Sequence, residues 1–207
     1  MSKNDIFDGM KYWAFAIVLF FLLSACSESF TDSRDGQSYD VVKIGNLTWM
    51  AENLNYATEA SVCPDGDSRN CKRLGRLYTW AEAKNVCPEG WRLPTKSDFE
   101  ALVAAVSGNA VQSHAGASLK AKDGWFKKGN GTDEFGFNAL PAGYGTEGKF
   151  DGIGGYAYFW SATEDSENPE SNAHYLFLSF SSDEASLNAF AKEDYRSIRC
   201  VTINNPF

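Results

Sequence analysis

The chain has 207 residues, with 27 acidic against 19 basic side chains and a formal net charge of −8 at pH 7. An acidic chain without a basic cluster offers nothing to a nucleic-acid backbone and gains nothing electrostatically from an anionic membrane surface. Its length suffices for one domain with a substantial core.

Residues 1–12 are polar and carry Lys3 and Lys11, and Trp13 to Leu23 is an unbroken apolar run. That run is short for a spanning helix, which needs about 20 apolar residues, and it fits the apolar core of a secretion signal. It ends in Leu23-Ser24-Ala25-Cys26, which resembles the lipobox of bacterial lipoproteins. The resemblance implies cleavage just before Cys26 and thioether lipidation of its sulfur. Acyl chains would then hold the protein to a membrane at about 0.8 kcal/mol per buried CH₂. The expected layout is a lipoprotein signal at 1–25, a tether at 26–38 containing the aperiodic ESFTDSRDGQ, and a domain at 39–207. The expected location is the bacterial cell envelope, at the outer membrane or cell surface.

In chain order, Tyr39 to Trp49 (YDVVKIGNLTW) reads as a hairpin turning at Gly45-Asn46. Cys63 to Cys71 (CPDGDSRNC) reads as a small loop, turned by Pro64 and Gly66. Thr79 to Glu100 (TWAEAKNVCPEGWRLPTKSDFE) reads as two short helices around a cysteine-bearing turn, with Cys87 at the inner end of the first. Thr79 with Glu82, and Thr95 with Asp98, have the spacing of helix-capping pairs. Phe99, Leu102, Val103 and Val106 fall on one helical face. Ser107 to Ala117 reads as loop. Glycine recurs through Gly129 to Gly155, densest over Pro141 to Gly155, and predicts irregular backbone and long loops there. Strands are expected at Tyr156–Ala162, His174–Phe180, Ala185–Phe190 and Tyr195–Ile203, the last alternating Ser197/Arg199 against Ile198/Cys200. The order of elements is that of an α+β domain, with two short helices packed on antiparallel strands, long glycine-rich loops, and the first and last strands paired.

Without Cys26, four cysteines remain, an even number in an exported chain, which favours disulfides. Of the three pairings, Cys63–Cys71 closes the small loop and Cys87–Cys200 ties the first helix to the last strand. By chain entropy the long bridge is worth about 4–5 kcal/mol and the short one about 2–3 kcal/mol. Zinc is disfavoured by the cysteine spacing and by a histidine count of two, His114 and His174.

The segments VVKIGNLTWMAENLNY, GRLYTWAEAKNVCPEGWRLPTKSDFEAL, GTDEFGFNALPAGY, YFWSATE and SIRCV resemble successive signatures of the Fibrobacter succinogenes major paralogous domain. That family occurs on exported proteins and lipoproteins of fibre-degrading and gut bacteria. The resemblance implies a fold similar to the C-type-lectin-like and formylglycine-generating-enzyme-like folds, in which a helix cysteine pairs with one in the last strand, as Cys87–Cys200 would. The sugar-reading motifs of calcium-dependent lectins are not matched: Asn168-Pro169-Glu170 runs in the reverse order and no Trp-Asn-Asp triplet occurs. Cys200 is the sole cysteine near the C-terminus, so formylglycine-generating chemistry is not carried over.

No cofactor and no catalytic residue are expected. Structural calcium would find oxygen ligands at Asp65, Asp67 and Asn70, or in the acidic turn Glu164–Glu170. Most large aromatics (Trp80, Trp91, Tyr156, Tyr158, Phe159 and Trp160 among them) are expected in the core. Trp125 and Tyr144, in glycine-rich stretches, are the residues expected to be exposed for stacking on a sugar or a partner protein. The function expected is a lipid-anchored, non-catalytic surface module of adhesion type, with glycan or an envelope protein as partner. A polysaccharide-active enzyme and a purely structural envelope lipoprotein are the alternatives. Replacing Cys26 by Ser should abolish fatty-acid labelling and release the protein from the membrane fraction; labelling that survives the change would refute the lipobox.

Overall fold

The computed structural model describes residues 28–107 and 114–203. Cys26, the expected signal segment and part of the loop expected after Ser107 lie outside the described residues.

The first hairpin forms where its alternation places it. Strands β1 (Ser29–Thr31), β2 (Ser38–Ile44) and β3 (Leu47–Met50) pair in sequence, all antiparallel. Strand β9 (Val201–Thr202) then pairs with β3, giving the order β1-β2-β3-β9. The last described strand thus pairs with the second arm of the expected first hairpin, while β1 lies at the opposite edge of the sheet. Within the stretch expected as a tether, Ser29–Thr31 pair with β2. Polar residues dock there by pairing with one another: the Asp32 carboxylate is fully buried and accepts from Arg34 at 2.6 Å. Arg34 also donates to the Val86 carbonyl and lies 3.8 Å from the centre of the Tyr56 ring.

A second sheet has the order β5-β4-β6-β7-β8, from β4 (Ala142–Thr146), β5 (Lys149–Ile153), β6 (Tyr156–Glu164), β7 (Asn172–Ser179) and β8 (Ala185–Ala191). Strands β4 and β6 run parallel; the other neighbours are antiparallel. The β4–β5 hairpin corrects the expectation that the stretch from Pro141 to Gly155 is irregular. Gly143 shows why glycine density misleads here. Its φ is +68°, and a Cβ at that position would lie 2.2 Å from the Asp151 carbonyl oxygen. Glycine admits a close strand approach rather than preventing strand formation.

Four helices are described: α1 (Ser68–Leu74), α2 (Trp80–Ala83), α3 (Lys96–Ser107) and α4 (Ala115–Leu119). The Thr95–Asp98 pair caps α3 reciprocally: Asp98 N donates to Thr95 Oγ1 at 3.2 Å, and Thr95 N donates to Asp98 Oδ2 at 2.7 Å. Thr79 makes no side-chain cap to the α2 backbone; its hydroxyl donates to Glu82 Oε2 at 3.5 Å, while Glu82 Oε1 accepts from Thr58. Helix α2 ends at Ala83, so Cys87 lies in the turn after it, not at its inner end. Helices α1 and α4 were expected as loop; at seven and five residues they are too short to show a helical repeat.

Both disulfides pair as expected: Cys63 with Cys71 and Cys87 with Cys200, at Cα separations of 4.9 and 5.8 Å. The apolar face of α3 (Phe99, Leu102, Val103, Val106) packs with Trp49, Phe137, Phe159, Leu176 and Leu178 in one core. A second core gathers Tyr78, Trp80, Trp91, Trp160, Ile198 and Cys200. The molecule is thus a mixed α+β domain.

The segment from Tyr195 to Cys200 is not the regular alternating strand expected. Tyr195 bridges Gly145, Arg196 bridges Tyr78 and Ser197 bridges Phe159, and Met50 N of β3 donates to the Cys200 carbonyl at 3.0 Å, so this segment links the second sheet to the first. Both of its sides are buried: Arg196, Ser197, Ile198, Arg199 and Cys200 are all 0–2% exposed. The Arg199 guanidinium donates to Asn53 Oδ1 at 2.8 Å, Met50 O at 3.1 Å and Asn138 O at 2.7 Å, and to Phe137 O. Replacing Arg199 by Ala strands these buried acceptors, each worth about 1–3 kcal/mol when unsatisfied. The urea midpoint should fall by the equivalent of at least about 3 kcal/mol with an unchanged slope; a loss below about 1 kcal/mol would contradict this role.

Candidate functional site

Pleating sends alternate side chains of a strand to opposite faces. In β6 and β7, Ala157, Phe159, Leu176 and Leu178 enter the core under α3. Tyr156, Tyr158, Tyr175 and Phe177 therefore share the other face, and all are half-buried. Register brings them together, Tyr158 lying opposite Phe177 and Trp160 opposite Tyr175. Ring centres are 5.0 Å apart for Tyr158–Phe177, 5.6 Å for Tyr158–Tyr175 and 5.8 Å for Tyr156–Phe177. Tyr144 joins from β4, its ring 5.2 Å from Tyr158 and edge-on to it. Ser186 and Asn188 of β8, opposite Phe177 and Tyr175, extend the face with polar groups.

One end of this aromatic face is closed. Trp160 is fully buried, and its indole N–H donates to the Tyr78 carbonyl at 2.8 Å. Arg196 lies against the rings, its guanidinium carbon 4.1 Å from the centre of Tyr175 and 4.9 Å from that of Tyr158. It is paired with Asp194 at 2.7 Å, and its Nε has no hydrogen-bond partner among the described residues. Burial lowers the Arg196 pKa, partly offset by Tyr175, Asp194 and Tyr158. Burial likewise raises the Tyr158 and Tyr175 hydroxyls above the ordinary tyrosine value, while Arg196 pulls them back in part.

The other end is open and runs into a groove of about 390 Å³ bordered by Phe126, Phe150, Tyr156, Phe180, Asp65 and Asp151. The Phe126 ring is 55% exposed. It rests on the backbone of Gly154, where a Cβ would lie 2.4 Å from its Cε1. Phe180 is 6.4 Å from Phe126 and 6.1 Å from Tyr156, so groove and sheet face form one continuous aromatic surface. Asp65 comes from the Cys63–Cys71 loop and has a left-handed φ of 55°. The Asp151 carboxylate accepts from Gly152 N at 2.7 Å.

Of the two aromatic residues singled out from sequence, the structure places Tyr144 in this face and removes Trp125. The Trp125 indole is 5% exposed, packs in the α3 core and donates to the Ala139 carbonyl at 3.1 Å. Its neighbour Phe126 takes the exposed position. Phe126, Phe150, Tyr175, Phe177, Phe180 and Arg196 were missed, and Tyr156 and Tyr158, expected in the core, belong to this surface. The alternation in HYLFLSF would have found Tyr175 and Phe177, opposite Leu176 and Leu178. Of the residues considered for calcium, Asp67 caps α1 and pairs with Arg69 at 2.6 Å, and Asn70 Nδ2 donates to the Pro64 carbonyl. Among the described residues no three of His, Cys, Asp and Glu gather as metal ligands would.

The raised tyrosines set a pH dependence. A phenol whose folded pKa exceeds its unfolded value of about 10 contributes stability that is complete below that value and is lost as pH rises through the folded pKa. Ultraviolet titration of the folded protein should show tyrosines that ionise late, stability should decline above about pH 10, and Tyr158→Phe should remove one late-titrating group. Simultaneous ionisation of all tyrosines near pH 10 without unfolding would contradict this.

The family model described as the Fibrobacter succinogenes major domain matches residues 42–202, which takes in the aromatic face, the groove and both disulfides. No curated protein and no solved structure matches the chain. With well over half its length so matched, the chain belongs to the Fibrobacter succinogenes major domain family.

Proposed function

We propose that this protein is an exported, lipid-anchored, non-catalytic binding module of adhesion type, which holds a glycan or a protein partner on its aromatic sheet face. The observation that carries this reading is the set of five half-buried rings, Tyr144, Tyr156, Tyr158, Tyr175 and Phe177, on the outer side of the second sheet. A contiguous aromatic surface with polar tips and a polar rim is the composition of a recognition surface. Tyrosine suits it, since it supplies rigid contact area at little entropic cost. The lipid anchor at Cys26 is supported by the sequence Leu23-Ser24-Ala25-Cys26 after an apolar run. Among the described residues no helix is long and apolar enough to cross a membrane. We further propose that the architecture is C-type-lectin-like. Support comes from the Cys87–Cys200 bridge and from the pairing of β3 with β9, which together bring the ends of the domain to one place.

A second reading, a polysaccharide-active enzyme, draws on Asp65 and Asp151 bordering the groove, because glycoside hydrolysis uses two carboxylates. A glycan array and polysaccharide retention assay separate the two. Under the binding reading the protein is retained without releasing reducing sugar, and Tyr158→Ala weakens retention at least about tenfold, equivalent to about 1.4 kcal/mol. Release of reducing ends that stops with Asp151→Asn would instead establish the enzyme. Retention by nothing, with no partner whose binding responds to Tyr144→Ala or Tyr158→Ala, would overturn the binding reading.

A further inference from the structure

We infer that the groove is the subsite for one amino-sugar unit in its ammonium form, so that the ligand of the aromatic face is a cationic glycan. This rests on the reading of that face as a binding surface and names its ligand class.

Charge is the first argument. The charged residues bordering the groove are Asp65 and Asp151, both acids. Among the described residues neither carboxylate enters an ion pair; that of Asp151 accepts from the adjacent Gly152 N–H. Lys127, whose ammonium stands 5.2 Å from the centre of the Phe180 ring, does not border the groove, and neither does Lys149 of β5. Two carboxylates in one concave site, in a chain of net charge −8, set a potential that draws a cation and repels an anion.

The rings make the same selection by a different route. An ammonium is attracted to the face of an aromatic ring, and Phe126, Phe150, Tyr156 and Phe180 border the groove. Phe180 is inclined at 71° to Phe126 and at 56° to Tyr156, so these rings are not stacked face to face. Phe126 keeps 55% of its surface in water. Its backbone N–H donates to the Gly154 carbonyl at 2.7 Å, and the Phe180 N–H donates to that of Gly155 at 2.8 Å. These two hydrogen bonds hold two aromatic residues at the groove before a ligand arrives, which limits the ordering cost of binding.

Hydrogen bonding and size decide which ammonium fits. Carboxylate oxygens only accept, so the ligand must donate. A quaternary ammonium has no N–H to give, and a lysine side chain brings one donor group on a thin methylene stem. An amino sugar joins an ammonium, several hydroxyl donors and an apolar C–H face on one pyranose ring. The groove, at about 390 Å³, lies in the size range of small-molecule sites, about 300–1,000 Å³. Tyr156 borders the groove and also belongs to the sheet face, with Tyr158 6.2 Å further on. A glycan with one unit in the groove therefore meets further rings as it leaves.

Calorimetry and affinity electrophoresis test this with the full-length protein in detergent, at a mildly acidic pH that keeps the amino sugar protonated. The probes are a glucosamine oligomer and its fully N-acetylated counterpart, which has the same backbone without the charge. Polylysine serves as a polycation without sugar, and phosphocholine as a quaternary ammonium. The glucosamine oligomer should bind at least about tenfold more tightly than the N-acetylated one, and added salt should weaken it. Phe126→Ala and Asp151→Asn should each weaken it at least about tenfold. Lys127→Ala, which removes a like charge, should leave it as tight or tighter. Near-ultraviolet circular dichroism would verify that the variants remain folded. Equal or tighter binding of the N-acetylated oligomer would overturn the cationic ligand and leave the binding face standing. Polylysine or phosphocholine bound through Asp151, with no glucosamine oligomer bound, would overturn the amino-sugar assignment. Glucosamine-oligomer binding lost in Tyr158→Ala but untouched by Phe126→Ala and Asp151→Asn would overturn the groove assignment alone. Binding to none of these probes would overturn the inference, and the face would stand if Tyr158→Ala still weakened retention of another partner.

Discussion

A guanidinium with neutral oxygens around it ties the end of the first hairpin to the loop at Phe137 and Asn138. Arg199 is fully buried; its fork reaches the first hairpin at Met50, the following turn at Asn53, and the loop at Phe137 and Asn138. Its carbon lies 4.8 Å from the centre of Phe137 and 5.3 Å from that of Phe159. Burial pulls its pKa down to about 9, so the side chain remains charged at neutral pH. Arginine fits where lysine would not. Its planar donors reach several acceptors at once, its charge is spread and weakly hydrated, and its faces stack on rings. Desolvating an unpaired cation is expensive, and the several charge-assisted hydrogen bonds offset that penalty. The next residue, Cys200, is covalently tied to Cys87. A covalent link and a polar cluster thus fix one short segment against elements far apart in sequence.

This fixed segment makes the open aromatic face affordable. Tyr195, Arg196 and Ser197 each bridge a different strand or loop, and Arg196 comes to lie against Tyr158 and Tyr175. The core under α3 takes one face of the second sheet. The other face carries the rings, and at its Trp160 end Tyr175 also packs on the second core. Core and aromatic face therefore occupy opposite sides of the same strands, as β-pleating permits.

The glycine-rich stretch has a different role from the one its composition suggests. Gly143 allows β4 to approach β5 closely, and Gly154 gives the Phe126 ring a backbone surface to lie on. Both replace a side chain with room for a neighbour. The small disulfide loop contributes in the same local way, bringing Asp65 to the edge of the groove.

Local patterns were legible in the sequence wherever nearest neighbours alone decide them. The β2–β3 hairpin, the Thr95–Asp98 cap, the inward face of α3, the β7–β8 hairpin and the α+β order all follow from spacing and alternation. So do both cysteine pairs, because one closes a short loop and the other joins a helical region to the closing strand. Short helices α1 and α4 were not legible, having too few residues for a repeat. Nor was the burial of Trp125 and the exposure of Phe126, since composition gives adjacent aromatics the same value and only strand and loop direction separates them. Arg199 reads as the polar side of an alternating strand until four acceptors from distant segments surround it. Sequence determined the elements and the staples; the tertiary structure decided which rings face water and where a charge can be buried, because both depend on what other parts of the chain bring to the same place.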